Sequence, residues 1–534
     1  MANSIQGRRG MAVAPHALAS QSALAVLREG GNAIEAMVAA AATIAVVYPH
    51  MNGIGGDSFW LVGTPKSGGG HDVVGIEGCG AAAAAARREN YAGRSAIPFR
   101  GGDAAITVAG TLGGWEQALA LSRDTMGGRM PLSRLLADAI DYARNGTPVT
   151  GSQQRSTAGK RADLEAVHGF AQTFLPGGAV PAVGSLFMQP RLAATFEHLV
   201  RAGLDDFYRG DLARSMAADL QSAGSPVALV DLQAHHGQLR EPLMLAHSHG
   251  RVYNMPPPTQ GMVALIILGL MDRLGIERFD HLGADYVHAA VESVKQAFAV
   301  RNQHVTDPAH MTVDPASFLA PDALDAMAAR IDMRRAAPWG AGKGPADTVW
   351  MGVIDGEGRA VSMIQSVYHE FGSGVVLAQS GVNWQNRGAS FSLDPAHVNT
   401  LVPGKRPFHT LIPGLALLND GRTMVYGNMG GDGQPQSQSA VFTRMVVHGL
   451  NPQDAISAPR WLLGRTWGQS SDSLKLESRF PAATVEALRA RGHEVDVLGE
   501  FDETFGHAGC VLRRPDGSFE GGFDPRSDGS VAAF

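Results

Sequence analysis

The residue pattern of the sequence changes from helical to β-rich at about residues 336–347, and this change limits the folds that the chain can adopt. Residues 110–330 mostly carry apolar side chains at three- and four-residue spacing, which is typical of amphipathic helices. Residues 336–347, AAPWGAGKGPAD, then hold three glycines and two prolines in twelve positions and predict a loop. The runs TVWMGVID and AVSMIQSVY follow, with a turn at residues 356–358 between them. They predict a β-hairpin with Thr348 at its first residue, in a chain of the mixed α/β class.

Helix signals are also clear before this point. A helix over residues 17–27 ends at Gly30, and Asn32 with Glu35 forms a capping-box pattern that opens an alanine-rich helix. The segment HMNGIGGDSFW predicts a tight glycine turn followed by a strand over residues 58–62. Further helices are predicted over residues 112–121, 132–143, 191–202, 211–223, 262–270 and 283–303.

Composition excludes several classes of protein. With 18% charged and 45% hydrophobic residues, the chain can bury a large core and is not disordered. Its formal charge of −6 and the lack of a basic block argue against nucleic acid or an anionic membrane as partner. The longest apolar runs, residues 36–47 and 262–271, are shorter than the roughly 20 residues that span a bilayer. The amino-terminal segment has no secretory pattern, so we expect a cytoplasmic protein.

Metal and nucleotide sites have little support in the sequence. The chain has two cysteines, Cys79 and Cys510, too few for a disulfide framework or a zinc site by themselves. The histidine pairs 235–236 and 247/249 have no carboxylate or cysteine partner at a recognisable spacing. Phosphate-binding glycine motifs and the Gly-x-Ser-x-Gly motif of α/β-hydrolases are absent. We therefore expect no metal and no organic cofactor.

Ordered motifs along nearly the whole chain resemble the γ-glutamyltranspeptidase family of N-terminal-nucleophile hydrolases. The matching blocks are GMAVAPHALAS, REGGNAIEAMVAA, YPHMNGIGGDSF, PPPTQG, AFAVRNQHVTDP, DTVWMGVIDGEGRAVSMIQS, FGSGVV, PGKRPFHTLIP, GNMGGDGQPQ, SAPRW and FDPRSDG. The resemblance implies a four-layer αββα sandwich formed by residues 1–534 as one domain. Length alone, at about 150 residues per domain, would have suggested three or four domains.

The resemblance also implies a proenzyme that cuts itself between Asp347 and Thr348. The products would be a large subunit of residues 1–347 and a small subunit of residues 348–534, held together as a heterodimer, two of which could pair. Threonine is a weak nucleophile, and cleavage would supply its base, because a free α-amine has a reference pKa of about 7.7–8.0. The alternative is that Thr348 merely begins a strand.

Three further residues take family roles by resemblance. Ser366 matches the hydroxyl residue that hydrogen-bonds the nucleophile. Gly430 and Gly431 match the glycine pair whose backbone N–H groups form the oxyanion hole. Glycine suits that role because no Cβ blocks the substrate. The alternative for the pair is an ordinary turn.

The substrate residues of the family's γ-glutamyl transferases do not carry over. Glu77 falls near the position of the arginine that binds the glutamyl carboxylate, and Ser390 falls where an aspartate binds the α-amine. His409 and Thr410 replace a pair of serines, and Tyr368 replaces an asparagine. A carboxylate at the arginine position would repel the glutamyl carboxylate, which argues against γ-glutamyl transfer.

These replacements predict a smaller, anionic substrate. Tyr368 fills volume, and Arg387 and His409 can pair with an anion, with Thr410 beside them. The segments SVYHEFGSG, VNWQNRGASFSL and RWLLGRTWGQSSDSLKLE resemble the branch of the family that hydrolyses oxamate to oxalate and ammonia in purine (allantoin) nitrogen recovery. Three alternatives remain open: a γ-glutamyl transferase or glutaryl-type acylase, an uncleaved binding protein, and a structural loop contact for Tyr368 and Arg387.

Overall fold

The computed structural model describes residues 3–340, 347–465 and 471–534. Its strands, in chain order, are β1 Ile5–Gly7, β2 Gly10–Ala14, β3 Asp57–Pro65, β4 His71–Gly78, β5 Thr147–Pro148, β6 Leu186–Phe187, β7 Gln238–Arg240, β8 Leu243–His247, β9 Gly250–Asn254, β10 Asp347–Asp355, β11 Ala360–Tyr368, β12 Gly414–Leu418, β13 Thr423–Asn428, β14 Trp461–Leu463, β15 Leu474–Glu477, β16 Val495–Leu498, β17 Ala508–Arg513, β18 Phe519–Phe523 and β19 Ser530–Ala533.

The α-helices connect and cover these strands. They are α1 Ala17–Arg28, α2 Ala33–Val47, α3 Thr111–Met126, α4 Leu132–Leu135, α5 Ala137–Asn145, α6 Gly151–Leu164, α7 Phe170–Phe174, α8 Pro190–Ala202, α9 Asp206–Arg209, α10 Asp211–Ser222, α11 Leu229–Ala234, α12 Gly261–Arg273, α13 Ala284–His304, α14 Pro321–Ala328, α15 Gln434–Val446, α16 Pro452–Ser457 and α17 Ala482–Ala490. No helix in the described part of the chain is long and apolar enough to cross a membrane.

Two seven-stranded antiparallel sheets form the centre of the molecule. Sheet A has the order β1-β18-β17-β13-β12-β9-β8, and sheet B has the order β19-β2-β10-β11-β3-β4-β7. Each sheet contains strands from both sides of the predicted cleavage point. The two halves of the sequence are therefore interleaved in one folded unit, and neither half could form either sheet alone.

The layers follow from the alternation of side chains along the central strands. On β10, Val349, Met351 and Val353 pack into the core that contains α1, α2 and α3. Trp350 points the other way, into a core formed between the two sheets. A third core joins sheet A to α12, α13 and α15. The order helix, sheet, sheet, helix confirms the predicted αββα class.

The local signals predicted most of the elements. The capping box is present, with Asn32 accepting from the backbone of Glu35 and the Glu35 side chain accepting from the backbone of Asn32. The predicted hairpin is β10 paired with β11, and it begins one residue earlier than expected, at Asp347. The segment predicted over residues 132–143 is two helices, α4 and α5. Of the predicted loop at 336–347, residues 341–346 lie outside the described residues.

Candidate active site

Thr348 is the second residue of β10, a central strand of sheet B. The pairing with β11 shifts register between Asp347 and Val349, so Thr348 lies at an irregularity of the ladder. Its side chain is buried, and Gln434 Nε2 donates to its Oγ1 across 3.4 Å. The structure therefore brings the predicted nucleophile to the point where sheet B meets the beginning of α15.

Gly430 and Gly431 lie directly before that helix. Their φ values are +125° and +53°, in the region that L side chains rarely adopt, so the backbone at this turn requires glycine. Residues 431–433 form a short 3₁₀ helix that leads into α15. The N-terminus of a helix favours negative charge, because the first backbone N–H groups of the helix point outward along its axis. The position beside Gln434 and Thr348 suits the predicted oxyanion role.

Gln434 is a site residue that the sequence did not single out, although it lies inside the quoted block GNMGGDGQPQ. While its amide nitrogen donates to Thr348, its Oε1 accepts from the backbone N–H of Ile412 at 3.3 Å. Gln260 makes a second link, because its Nε2 donates to the carbonyls of Gly431 and Thr410. These two glutamines tie the glycine turn, the 409–412 segment and Thr348 together.

Ser366 lies near the end of β11, opposite Asp57 of β3. Its Oγ accepts a hydrogen bond from the backbone N–H of Tyr368 at 2.8 Å. Tyr368 has a φ of +84°, a conformation that costs about 1–3 kcal/mol for a residue with a side chain. Ser366 therefore helps to hold a strained backbone at the edge of the site. Its predicted role in orienting Thr348 stays a prediction.

Arg387 is a buried cation at the start of the short 3₁₀ helix Arg387–Ser390. Only 1% of it is exposed, and Nε, Nη1 and Nη2 all lack a hydrogen-bond partner among the described residues. The guanidinium lies over the ring of Tyr368, with Cζ 3.8 Å from the ring centroid. Burial lowers the pKa of Arg387, while Tyr368 and Asp57 favour its charged form. Buried arginine nitrogens with no partner are what an anion-binding site needs before its ligand arrives.

His409 interacts electrostatically with this arginine but differs from the second cation that the sequence predicts. His409 is fully buried, and burial together with Arg387 holds its pKa well below 6.5. It is therefore a neutral imidazole at working pH, and the expected second cation is replaced by a hydrogen-bonding group. Thr410 Oγ1 is buried without a hydrogen-bond partner among the described residues.

Asp57 is the most informative residue that the sequence did not identify, because HMNGIGGDSFW was interpreted as a turn and a strand. It is fully buried, and its Oδ2 is 3.0 Å from His409 Nε2. Burial raises its pKa to about 6, against the opposing effects of Arg387 and three hydrogen bonds. A lone aspartate after a glycine turn carries no sequence signal that it will meet residues 387 and 409.

Glu77 has a structural environment that its sequence position did not predict. It is buried and pairs with Arg240 at 2.9 Å and with Arg406 at 3.0 Å. These two arginines compensate the charge of Glu77. Glu77 therefore cannot replace the carboxylate-binding arginine of the γ-glutamyl transferases, and it adds little net negative charge to the site. Ser390 ends the short 3₁₀ helix that begins at Arg387, and its buried Oγ has no hydrogen-bond partner within the described ranges.

Side chains of the kinds that bind metal ions lie close together at several places. The carboxylate of Asp272, which the sequence spacing did not reveal, lies beside His247 and His249. Asp57, Cys79 and His409 form a second, buried group. The buried group is a poor cation site, because the Arg387 guanidinium interacts with both Asp57 and Cys79. His235 packs against the ring of Tyr208, and burial lowers its pKa to about 4, which suits a structural residue.

Two stacked antiparallel sheets between helices, with a buried threonine at the head of a central strand, define the class of N-terminal-nucleophile hydrolases. The family model for γ-glutamyltranspeptidase matches residues 19–534. The chain belongs to the γ-glutamyltranspeptidase family, and it is an enzyme of the amide-hydrolase class.

Known relatives agree with this assignment over the full length. The chain is 57% identical to an oxamate amidohydrolase proenzyme of Klebsiella pneumoniae, with all of both chains covered. It is 40% identical to the glutathione hydrolase-like YwrD proenzyme of Bacillus subtilis, with 99% of both covered. Among solved structures, a cephalosporin acylase from Bacillus halodurans superimposes with a TM-score of 0.90 at 34% identity, covering 100% of this chain and 97% of the other.

Proposed function

We propose that the protein is a self-processing amidohydrolase that uses Thr348 as an N-terminal nucleophile and hydrolyses a small anionic amide, oxamate, to oxalate and ammonia. The observation that carries the substrate class is the buried Arg387 guanidinium, whose three nitrogens lack hydrogen-bond partners among the described residues. The proenzyme names of the relatives from Klebsiella and Bacillus subtilis support the self-processing step.

Self-processing begins with the Thr348 hydroxyl and the peptide bond before it. Oγ1 attacks the carbonyl carbon of Asp347, the C–N bond breaks, and an ester to Thr348 forms. The Thr348 nitrogen takes up the hydroxyl proton as the C–N bond breaks and becomes the free α-amine. Water then hydrolyses the ester, which frees the Asp347 carboxyl group and the Thr348 hydroxyl. The two products stay together because both sheets contain strands from each of them. Gln434, which donates to Thr348 Oγ1, orients the hydroxyl.

Turnover then uses the α-amine that cleavage has released. The amine takes the proton of its own hydroxyl as Oγ1 attacks the amide carbonyl. The N–H groups of Gly430 and Gly431 stabilise the oxyanion, a contribution of about 3–4 kcal/mol for one donor in comparable sites. The amine returns the proton to the leaving nitrogen, ammonia departs, and water hydrolyses the acyl-enzyme. Ser366 holds the adjacent strand end in place.

Substrate recognition rests on Arg387, Tyr368, His409 and Thr410. The carboxylate of oxamate adjoins its amide carbonyl, so an arginine near Thr348 can bind the first group while the second is attacked. Neutral His409 and the Thr410 hydroxyl supply further hydrogen-bonding atoms. A cavity of about 400 Å³ is lined by residues that include Cys79, His235 and Arg406, and Cys79 belongs to the buried group with Asp57 and His409.

A γ-glutamyl or glutaryl group is the second candidate substrate. The 40% identity to a glutathione hydrolase-like proenzyme and the likeness to a cephalosporin acylase favour it. Against it, Glu77 is paired with two arginines and cannot bind a glutamyl carboxylate, and Ser390 supplies no charge for an α-amine. Oxamate hydrolysis requires neither an arginine at position 77 nor a negative charge at position 390.

The deciding experiment measures ammonia release from oxamate beside glutathione hydrolysis, with Thr348→Ala as the control. We expect ammonia from oxamate, little glutathione turnover, and neither activity in the control. Turnover of glutathione without ammonia from oxamate would instead support the second candidate. Pairing of two heterodimers, a cytoplasmic location and a role in purine nitrogen recovery stay predictions.

A further inference from the structure

We propose that Asp57 is a positioning residue that sets how tightly the Arg387 site binds an anion, because its buried carboxylate competes electrostatically with the carboxylate of the substrate. The inference rests on the proposed function, since it takes Arg387 as the group that binds the substrate anion. Asp57 itself touches no reacting atom.

The two carboxylate oxygens of Asp57 have different surroundings. Oδ1 accepts three hydrogen bonds, from the backbone N–H of Gly80 at 3.2 Å and of Gly110 at 2.9 Å, and from Gln385 Nε2 at 3.1 Å. These bonds fix the side chain. Oδ2 is fully buried, lies 3.0 Å from His409 Nε2, and makes no hydrogen bond of good geometry within the described residues. One face of the carboxylate is therefore anchored and the other remains available to the charges around it.

Asp57 pairs across sheet B with Ser366, two residues before the Tyr368 ring over which Arg387 lies, and Gln385, two residues before Arg387, donates to Asp57 Oδ1. This placement lets the Arg387 guanidinium act on the Asp57 carboxylate, and the carboxylate in turn favours the charged form of Arg387. Without substrate, Asp57 partly compensates a guanidinium that makes no hydrogen bonds of its own in the described structure. A substrate carboxylate that binds Arg387 enters a site that already contains a negative charge. Two like charges in a buried site oppose each other, so an uncharged residue at position 57 strengthens anion binding.

Asp57 is also the member of this buried cluster whose own charge changes near neutral pH. Its titratable neighbours are Arg387, His409, Cys79, His235 and Tyr208. Burial raises the pKa of Cys79 and Tyr208, holds that of His409 well below 6.5, and lowers that of His235 to about 4. Between pH 5 and pH 8 these neighbours keep their charge, whereas Asp57, with a pKa of about 6, becomes ionised.

The test compares the inhibition constant of oxalate, measured at pH 5 and at pH 7.5, for the wild type and for Asp57→Asn. Asparagine keeps the shape of the side chain and can accept the same three hydrogen bonds. The ratio of the mutant to the wild-type constant cancels the titration of the Thr348 amine, which both proteins share. We expect this ratio to be near one at pH 5 and about tenfold lower at pH 7.5, the effect of one pKa unit of coupling.

A matched control is Asp355→Asn, because Asp355 is another buried aspartate with a raised pKa that lies at the far end of β10 with Arg359 as its partner. Its ratio should be one at both pH values. Weaker oxalate binding by Asp57→Asn at both pH values would assign Asp57 a purely structural role and overturn the inference. The same result beside normal ammonia release from oxamate would leave the proposed function intact.

If Asp57→Asn does not mature, calorimetry on the wild type keeps the inference testable. Oxalate binding near pH 6 raises the pKa of a competing carboxylate, so we expect proton uptake there in buffers of different ionisation enthalpy. The Thr348 amine is already protonated at this pH and contributes little. Oxalate binding without proton uptake near pH 6 contradicts the role of Asp57.

Discussion

The guanidinium of Arg387 lies over the ring of Tyr368 at 3.8 Å, and this stack places a buried positive charge beside the end of β11. Tyr368 adopts a φ of +84° there, a strained conformation held by the hydrogen bond from its N–H to Ser366. The strand that pairs with the predicted cleavage point thus also carries Tyr368, on which the proposed anion-binding Arg387 stacks. The proposed nucleophile and the proposed substrate-binding arginine are linked through one hairpin.

Arg387→Ala should weaken substrate binding without blocking maturation. A hydrogen bond to a charged group contributes about 1.5–3 kcal/mol, so KM for oxamate should rise about 10- to 100-fold while kcat changes less. Steady-state kinetics and denaturing electrophoresis measure the two effects. Arg387→Lys keeps the positive charge but loses the planar guanidinium, so its KM for oxamate should lie between those of the wild type and Arg387→Ala. Failure of self-cleavage in Arg387→Ala would show that Arg387 is structural.

Gln434→Ala should slow both self-cleavage and turnover, because the Thr348 hydroxyl loses the amide that donates to it. A lost hydrogen bond of this kind corresponds to roughly a tenfold lower rate. The rate of band conversion on gels and kcat for oxamate report the two steps. Gln453→Ala is the control, since Gln453 is equally buried but bonds to Ser457 and Phe523. Equal rates for both variants would remove Gln434 from the site.

Gly430→Ala should lower kcat by about 10²- to 10³-fold, the usual cost of disturbing one oxyanion-hole donor. A φ of +125° is strained for alanine, so the turn that carries the donor must move. Gly159→Ala, in α6, is the control, because its added Cβ meets no atom within 4 Å. KM should change little in either variant. A Gly430→Ala enzyme with normal kcat would show that the turn is not an oxyanion hole.

Acid should destabilise the molecule through Asp524. Burial alone would raise its pKa, but Arg460, Arg526 and His507 lower it to about 2. A carboxyl whose pKa is lower in the folded state stabilises the fold above its unfolded pKa of about 3.9, and this contribution is lost as pH falls towards 2. Asp524→Asn should cost about 3–5 kcal/mol at pH 7 and much less near pH 2. Urea unfolding at both pH values measures the difference.

The elements of the fold were largely predictable, because each local pattern agrees with the structure. The capping box at Asn32 and Glu35 opens α2, and the alternating run after Asp347 forms a hairpin of sheet B. The short strands β7, β8 and β9 were not predicted, since they interrupt a mostly helical region and take their places in the sheets through distant partners.

The candidate site was predictable only where a motif carried it. Thr348, Ser366, Gly430 and Gly431 lie in ordered blocks of sequence. Thr348 and Ser366 lie at one end of sheet B, and the two glycines follow β13 of sheet A. Asp57 and the neutral state of His409 were not predictable, because both depend on burial beside Arg387, some 330 residues from Asp57 in the sequence. The compensation of Glu77 by Arg240 and Arg406 likewise appears only in three dimensions.

Self-cleavage at the Asp347–Thr348 bond is tested by mass spectrometry of the purified wild-type protein, with amino-terminal sequencing of its fragments. We expect two fragments, residues 1–347 and 348–534, with threonine at the amino terminus of the smaller one, whereas Thr348→Ala remains a single chain of 56.1 kDa. A wild-type protein that hydrolyses oxamate as one uncut 56.1 kDa chain, or that is cut at a different bond, contradicts this expectation.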